Sequence, residues 1–186
     1  MDMPITFVVY VADQPGVLNR VASLIRRRGY NIVSLTVGHT EVEGQSRMTL
    51  VVDASPDAAP RIEAHLYKLV HVRRVENVTS ASAVCRDLAM VKVAATPSTR
   101  NHVMQLVDVF RARVVDVAPD SLIVEITGAE DKIDGFVEML RPFGLIEMAR
   151  TGTVAMTRGL KLVRPPRLAS ANTAPAASDD AVSCSV

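Results

Sequence analysis

Six residues near the start of the chain, Asp13-Gln14-Pro15-Gly16-Val17-Leu18, and Asn31, which closes the string Gly29-Tyr30-Asn31 fifteen positions after Gly16, offer the clearest chemistry in the sequence. Gly16 has no Cβ, so a ligand can approach the backbone closely there. A helix starting at this turn presents free N–H groups and the positive end of its dipole, and both suit a carboxylate. Asp13 is a residue type that caps helices. Pro15 is tolerated in a first turn, where its missing N–H would be unpaired anyway. If the Asp13 carboxylate is free, it can take an ammonium group. The Asn31 amide can then serve the opposite side of the same ligand. The same residues also suit a strand–turn–helix–strand that binds nothing, so the surrounding pattern has to separate the two readings.

That pattern is regular. Residues 5–12 are rich in β-branched and aromatic types and read as a strand leading into the turn. Leu18, Val21, Ala22 and Ile25 stand at offsets of 0, 3, 4 and 7, one helical face, and Gly29 reads as the helix stop. The basic triplet Arg26-Arg27-Arg28 falls in the last turn, where cations favour the dipole. Residues 31–37 and 47–52 read as strands around a turn containing Gly44. Ser55-Pro56-Asp57 and Pro60 open a second helix, with Ile62, His65, Leu66 and Leu69 on the same offsets, and residues 70–78 read as a fourth strand.

The order βαββαβ then recurs. A strand at 88–95 precedes a helix begun by Thr96-Pro97-Ser98-Thr99, with Val103, Leu106, Val107 and Phe110 inward. Strands at 113–117 and 122–126 flank Pro119-Asp120-Ser121. A helix from Glu130 turns Ile133, Phe136, Val137 and Leu140 inward, and short strands follow at 145–149 and 153–156. The expectation is an α+β protein of two ferredoxin-like βαββαβ domains in tandem, residues 3–79 and 84–160. The break falls at Thr79-Ser80-Ala81-Ser82. Residues 165–186, dominated by Ala, Ser, Pro and Asp, read as a disordered tail.

Two geometric consequences follow. A helix over residues 15–28 is about 21 Å long at roughly 1.5 Å per residue, so Gly16 and Asn31 of one chain lie too far apart for one amino acid to touch both. Two copies paired about a two-fold axis with these helices antiparallel would bring Gly16 of one to Asn31 of the other. Such a site couples ligand binding to subunit arrangement. The first strand is also apolar on both faces, with Phe7, Val9 and Val11 on one side and Val8 and Tyr10 on the other. Helices of a βαββαβ unit cover one face only, so a partner subunit is expected over the second.

Several function classes fit poorly. With 21 basic and 20 acidic residues the net charge is +1, and aromatics make up 4%, which gives no footprint for nucleic acid. Cys85 and Cys184, and the histidines at 39, 65, 71 and 102, match no metal or redox spacing. No Ser/Cys–His motif, paired catalytic carboxylates or P-loop is present, so neither catalytic residues nor a metal site are expected. The apolar run that Asp13 closes is too short to span a membrane, and a soluble cytoplasmic protein with no membrane partner is expected.

Beyond these readings, the chain resembles the small, regulatory subunit of acetohydroxyacid synthase (acetolactate synthase), with its first block similar to an ACT domain. The matching strings are Asp-Gln-Pro-Gly-Val-Leu (13–18), Arg-Arg-Gly-Tyr-Asn-Ile-Val-Ser-Leu-Thr-Val (27–37), Ser-Arg-Met-Thr (46–49), Lys-Leu-Val-His-Val (68–72), Phe-Arg-Ala-Arg-Val-Val-Asp-Val (110–117) and Ala-Arg-Thr-Gly-Thr-Val-Ala-Met-Thr-Arg-Gly (149–159). The resemblance implies a chain with no cofactor of its own that stimulates a large catalytic subunit carrying thiamine diphosphate, Mg and FAD. It implies feedback inhibition by L-valine in branched-chain amino acid synthesis, and a homodimer formed through the ACT domains. It implies an effector site at Asp13, Gly16 and Asn31, extended to Pro15, Val17, Leu18 and Ile32. The alternative is a free-standing tandem ACT-domain amino-acid sensor. The second block discriminates, because it replaces Asp-x-x-Gly with Thr96-Pro97-Ser98-Thr99. A block that keeps the fold and drops the site is expected to dock or activate the catalytic subunit.

Overall fold

The structure, a computed structural model, describes residues 2–159, so the expected tail at 165–186 lies outside the described residues. The chain runs β1 (Met3–Ala12), α1 (Val17–Arg27), β2 (Asn31–His39), β3 (Gln45–Ala54), α2 (Ala59–Leu66, after a 3-10 turn at Pro56–Ala58) and β4 (Val72–Asn77). It continues β5 (Ala83–Ala94), α3 (Arg100–Val109), β6 (Arg113–Val117), β7 (Ser121–Gly128), α4 (Glu130–Leu140), β8 (Leu145–Arg150) and β9 (Val154–Thr157). The first four strands form an antiparallel sheet in the order β2-β3-β1-β4. The second block repeats it as β6-β7-β5-β8, with β9 also on β5. This is the expected tandem of ferredoxin-like units.

Each block is two layers, a sheet under a helix pair. Most residues at offsets 0, 3, 4 and 7 join the layers, but α1 departs from expectation: it turns Val17, Val21, Leu24 and Ile25 inward and leaves Leu18 exposed. Phe7, Val9, Leu50, Val21, Ile25 and Ile62 are buried together in the first block, and Val91, Val124, Val103, Ile133 and Phe136 in the second. Alternate residues of β1 point at the helices, as a period-two strand requires. The register Phe7↔Leu50 and Val9↔Met48 brings the apolar side of β3 onto the same core.

The other face of the first sheet departs from expectation. A partner subunit is not what covers its centre. Val8 is fully buried in a third cluster with Val78 and Ala155, and Tyr10, Ala81 and Ala83 pack against it. Ala155 sits on β9, which pairs with the first four residues of β5, Ala83↔Thr157 to Arg86↔Val154. β5 therefore begins five residues before the expected 88, and its extension carries β9 across the back of the first block. Beside this seam the Arg47 guanidinium donates to the Ala155 carbonyl, and the guanidinium carbons of Arg47 and Arg74 stand 5.7 and 5.1 Å from the Tyr10 ring centre. The cover comes from the chain itself.

Val8→Ala tests this. Loss of two buried carbons should cost about 1.5 kcal/mol of folding stability, at roughly 0.8 kcal/mol per buried CH2. The loss should appear in urea denaturation at every protein concentration. A loss that appears only where the protein self-associates would point to a partner as the cover instead.

Candidate functional site

β1 delivers the chain to the turn at residues 13–16, all of them exposed. The turn is held from behind: the Asp13 N–H donates to the Gly44 carbonyl at 3.0 Å, tying it to the β2–β3 connection. Gly16 is the residue before α1 and lies at φ 82°, ψ −5°, a left-handed conformation that residues with a Cβ rarely adopt. Nothing lies within 4 Å of the place a Cβ would occupy. Glycine is therefore required by backbone shape and leaves open space in front of it.

The sequence-based placing of the cap is corrected here. Asp13 does not cap α1, and Pro15 precedes the helix rather than sitting in its first turn. Among the described residues no side chain caps the helix start, and intrahelical bonding begins with the Arg20 N–H on the Gly16 carbonyl. The amides of Leu18 and Asn19 thus face the turn with the helix dipole behind them. The Asp13 carboxylate instead accepts from the Ser46 hydroxyl at 3.2 Å and lies 3.4 Å from His39 Nδ1. Sequence reasoning missed Ser46 and His39. They face each other across β2 and β3, and Ser46 faces Val11 on β1, so strand pairing extended to the sheet end would have placed both beside Asp13.

The remaining expected residues divide. Val17 is buried in the core, so only its backbone faces the turn, whereas the Leu18 side chain is 44% exposed next to Gly16. Ile32 packs against the first core. Asn31 is exposed, and its amide makes no hydrogen bond among the described residues. α1 ends as expected at Gly29, φ 76°. The Tyr30 N–H reaches the Ile25 carbonyl and the Gly29 N–H the Arg26 carbonyl, the paired bonds of a glycine-terminated helix. Eleven helical residues separate Gly16 from that stop, about 16 Å at roughly 1.5 Å each. One chain therefore does not bring Asp13, Gly16 and Leu18 together with Asn31.

The second block closes the corresponding place. α3 starts only at Arg100, four residues later than expected, because Thr96–Thr99 form a hydroxyl-bonded turn in which Thr96 Oγ1 lies 2.9 Å from Ser98 Oγ and 3.0 Å from Thr99 Oγ1. Arg100 Nη2 donates to the carbonyls of Ala118 and Pro119 at 2.6 and 2.7 Å, clamping the helix start to the β6–β7 turn.

A cavity of about 530 Å³ lies elsewhere, between the two blocks, lined by Ser34, Asp53, Asp87, Glu130 and Arg150 among others. Arg150 pairs with buried Asp87 at 2.8 Å and with Asp134 at 2.9 Å. Burial opposes the charge on Arg150, but hydrogen bonds and charge from Asp87 and Asp134 outweigh it and hold the guanidinium above its ordinary pKa. With its cation already matched by carboxylates, this cavity is a poorer anion site than the open turn. Among the described residues no group of three or more His, Cys, Asp or Glu is placed to hold a metal ion, and no helix is long and apolar enough to cross a membrane.

Comparison with known proteins matches both blocks. The family model "AHAS small subunit-like ACT domain" covers residues 7–74, and "Small subunit of acetolactate synthase" covers residues 86–159. A probable acetolactate synthase small subunit of Archaeoglobus fulgidus is 47% identical over 156 residues, 84% of this chain and 98% of that one. The acetolactate synthase small subunit of Bacillus subtilis is 45% identical over 150 residues, 80% and 87% of the two chains. The crystal structure of the acetolactate synthase small subunit from Thermotoga maritima superposes with a TM-score of 0.79 at 36% identity, covering 86% of this chain and 99% of that one.

The left-handed turn gives a direct test. Gly16→Ala should lose about 1–2 kcal/mol of stability, the cost of a Cβ in left-handed backbone, because no neighbouring atom adds a clash. Gly16→Asn should lose less, since Asn tolerates this region. Urea denaturation of the three proteins reads the order.

Proposed function

The chain belongs to the family of acetolactate synthase small subunits, a regulatory family, and from that premise we propose that it binds L-valine at the Gly16 turn and passes feedback inhibition to a catalytic large subunit. The reaction, and with it thiamine diphosphate, Mg and FAD, belongs to that partner. This chain is non-catalytic, works in the cytoplasm and supplies regulation to branched-chain amino acid synthesis.

The observation that carries the proposal is the left-handed glycine turn at the start of α1, with open space in front of it. A carboxylate there would accept from the Leu18 and Asn19 amides against a favourable dipole. Asp13, held by Ser46 and exposed on its outer side, suits the ammonium. Leu18 offers apolar surface to an aliphatic side chain. Asn31 completes the site from a second copy of the chain, which makes a homodimer with antiparallel α1 helices the functional unit.

Roles divide between the blocks in this reading: residues 3–79 hold the effector and 84–160 contribute the contact with the catalytic subunit. The Arg100 clamp supports the division, because it ties the second block's helix start to the β6–β7 turn where the first block has an open glycine turn. It also weighs against a free-standing tandem sensor, in which both blocks would keep ligand chemistry.

Two measurements test the proposal. Purified chain alone should form no acetolactate from pyruvate, and adding it to the catalytic subunit should raise that subunit's rate; activity without a partner would refute the non-catalytic role. Asn31→Ala should fold normally and still stimulate, yet need about tenfold or more valine for half inhibition, in line with roughly 1–3 kcal/mol for one lost hydrogen-bond partner. Unchanged inhibition would remove Asn31 from the site.

A further inference from the structure

The two halves of the effector site share a second feature: each lies within a few residues of the seam with the second block. Asn31 opens β2, and farther along that strand Ser34 and Thr36 meet the loop between β8 and β9. The Thr153 N–H donates to Ser34 Oγ at 3.1 Å, and Thr36 Oγ1 donates to the Thr151 carbonyl at 3.2 Å. On β3, Ser46 holds Asp13, and its neighbour Arg47 donates to the Ala155 carbonyl.

The approach is close by construction. Gly152 lies at φ +82°, and a Cβ there would stand 2.3 Å from Ser34 Oγ, so any side chain would be strained and would push the Ser34 hydroxyl off the loop. The loop is fixed to its own block as firmly. The Thr151 N–H donates to the Leu88 carbonyl at 3.0 Å, and the Leu88 N–H donates to Thr151 Oγ1 at 3.2 Å. The preceding residue is Arg150, with its pairs to Asp87 and Asp134. Rigid anchoring on both sides leaves little slack between the two sheets.

We propose that the Thr151–Ala155 segment is a relay, in which Ser34, Thr36 and Arg47 act as positioning residues that pass a shift of β2 and β3 on effector binding to the second block. The relay rests on the effector site proposed above. It touches no ligand itself, so its loss should separate binding from response. By linkage, a second block held in its responsive position should in turn favour the ligand.

The test uses the full chain with L-valine as the probe. Calorimetry first reads binding, and hydrogen exchange then compares the amides of residues 151–157 with and without valine. In the wild type, valine should change exchange at Thr153 and along β9. The double variant Ser34→Ala, Thr36→Val should bind valine within about threefold of wild type, lose that exchange change, and raise the valine needed for half inhibition of the holoenzyme at least about fivefold, the lower end of typical coupling between sites. Thr36→Ser, which keeps the hydroxyl, should behave as wild type. Wild-type protein that binds valine with no exchange change at 151–157 overturns the relay while leaving the effector site standing, and this arm needs no variant. A double variant that is inhibited normally also overturns it. Wild-type protein that binds no valine removes the effector site and the relay with it.

Discussion

The length of α1 is the constraint from which the rest follows. Its eleven residues put about 16 Å between the left-handed turn at Gly16 and the glycine stop at Gly29. Both ends are pinned by backbone geometry that only glycine supplies easily, so the separation is a fixed property of the chain. An amino acid is far smaller than this gap. The Asp13 carboxylate and the open turn at Gly16 stand at one end, and the Asn31 amide, without a hydrogen bond among the described residues, stands past the other. Antiparallel pairing of two α1 helices is the simplest way to unite them, and it ties ligand occupancy to the arrangement of subunits.

β1 turns that local constraint into a molecule-wide one. It is one of the two inner strands of the first sheet and is buried on both faces, by α1 and α2 on one side and by Val78 and Ala155 on the other. The strand that leads into the Gly16 turn therefore also contacts the second block. The blocks share topology but differ at the equivalent helix start: a left-handed glycine turn at Gly16, and at α3 a Thr99 start tied by Arg100 to the β6–β7 turn. One fold used twice gives one unit with an open glycine turn and one unit without it, held together by a seam rather than a loose linker.

Much of this was legible in the sequence, because the signals were local. Largely apolar sets at offsets of 0, 3, 4 and 7, with His65 the polar exception, marked the four helices of the described residues, and Gly29 and Glu130 marked helix ends that the structure keeps. What stayed hidden depended on tertiary partners. β5 begins at Ala83 because β9, seventy residues later, pairs with it, and Ala83-Val84-Cys85-Arg86 carries little strand signal alone. Asp13 has good cap chemistry, yet Ser46 and His39 draw its carboxylate toward the sheet end and Gly16 takes the position before the helix. The second face of β1 was correctly read as needing a cover, but a single alanine on a distant strand gave no sign that the chain supplies its own. Gly152 had no reading from sequence at all; its role is visible only against Ser34.

The two-chain site is tested most directly by a mixed dimer of one Gly16→Asp chain and one Asn31→Ala chain, with valine stoichiometry read by calorimetry. If Gly16 of one chain and Asn31 of the other form each pocket, both lesions fall in one pocket and the other stays intact. The mixed dimer should then bind one valine, and each single-variant homodimer should show the weakened binding of two damaged pockets. A mixed dimer that binds no valine, or homodimers that bind it normally, would contradict a site shared between Gly16 and Asn31.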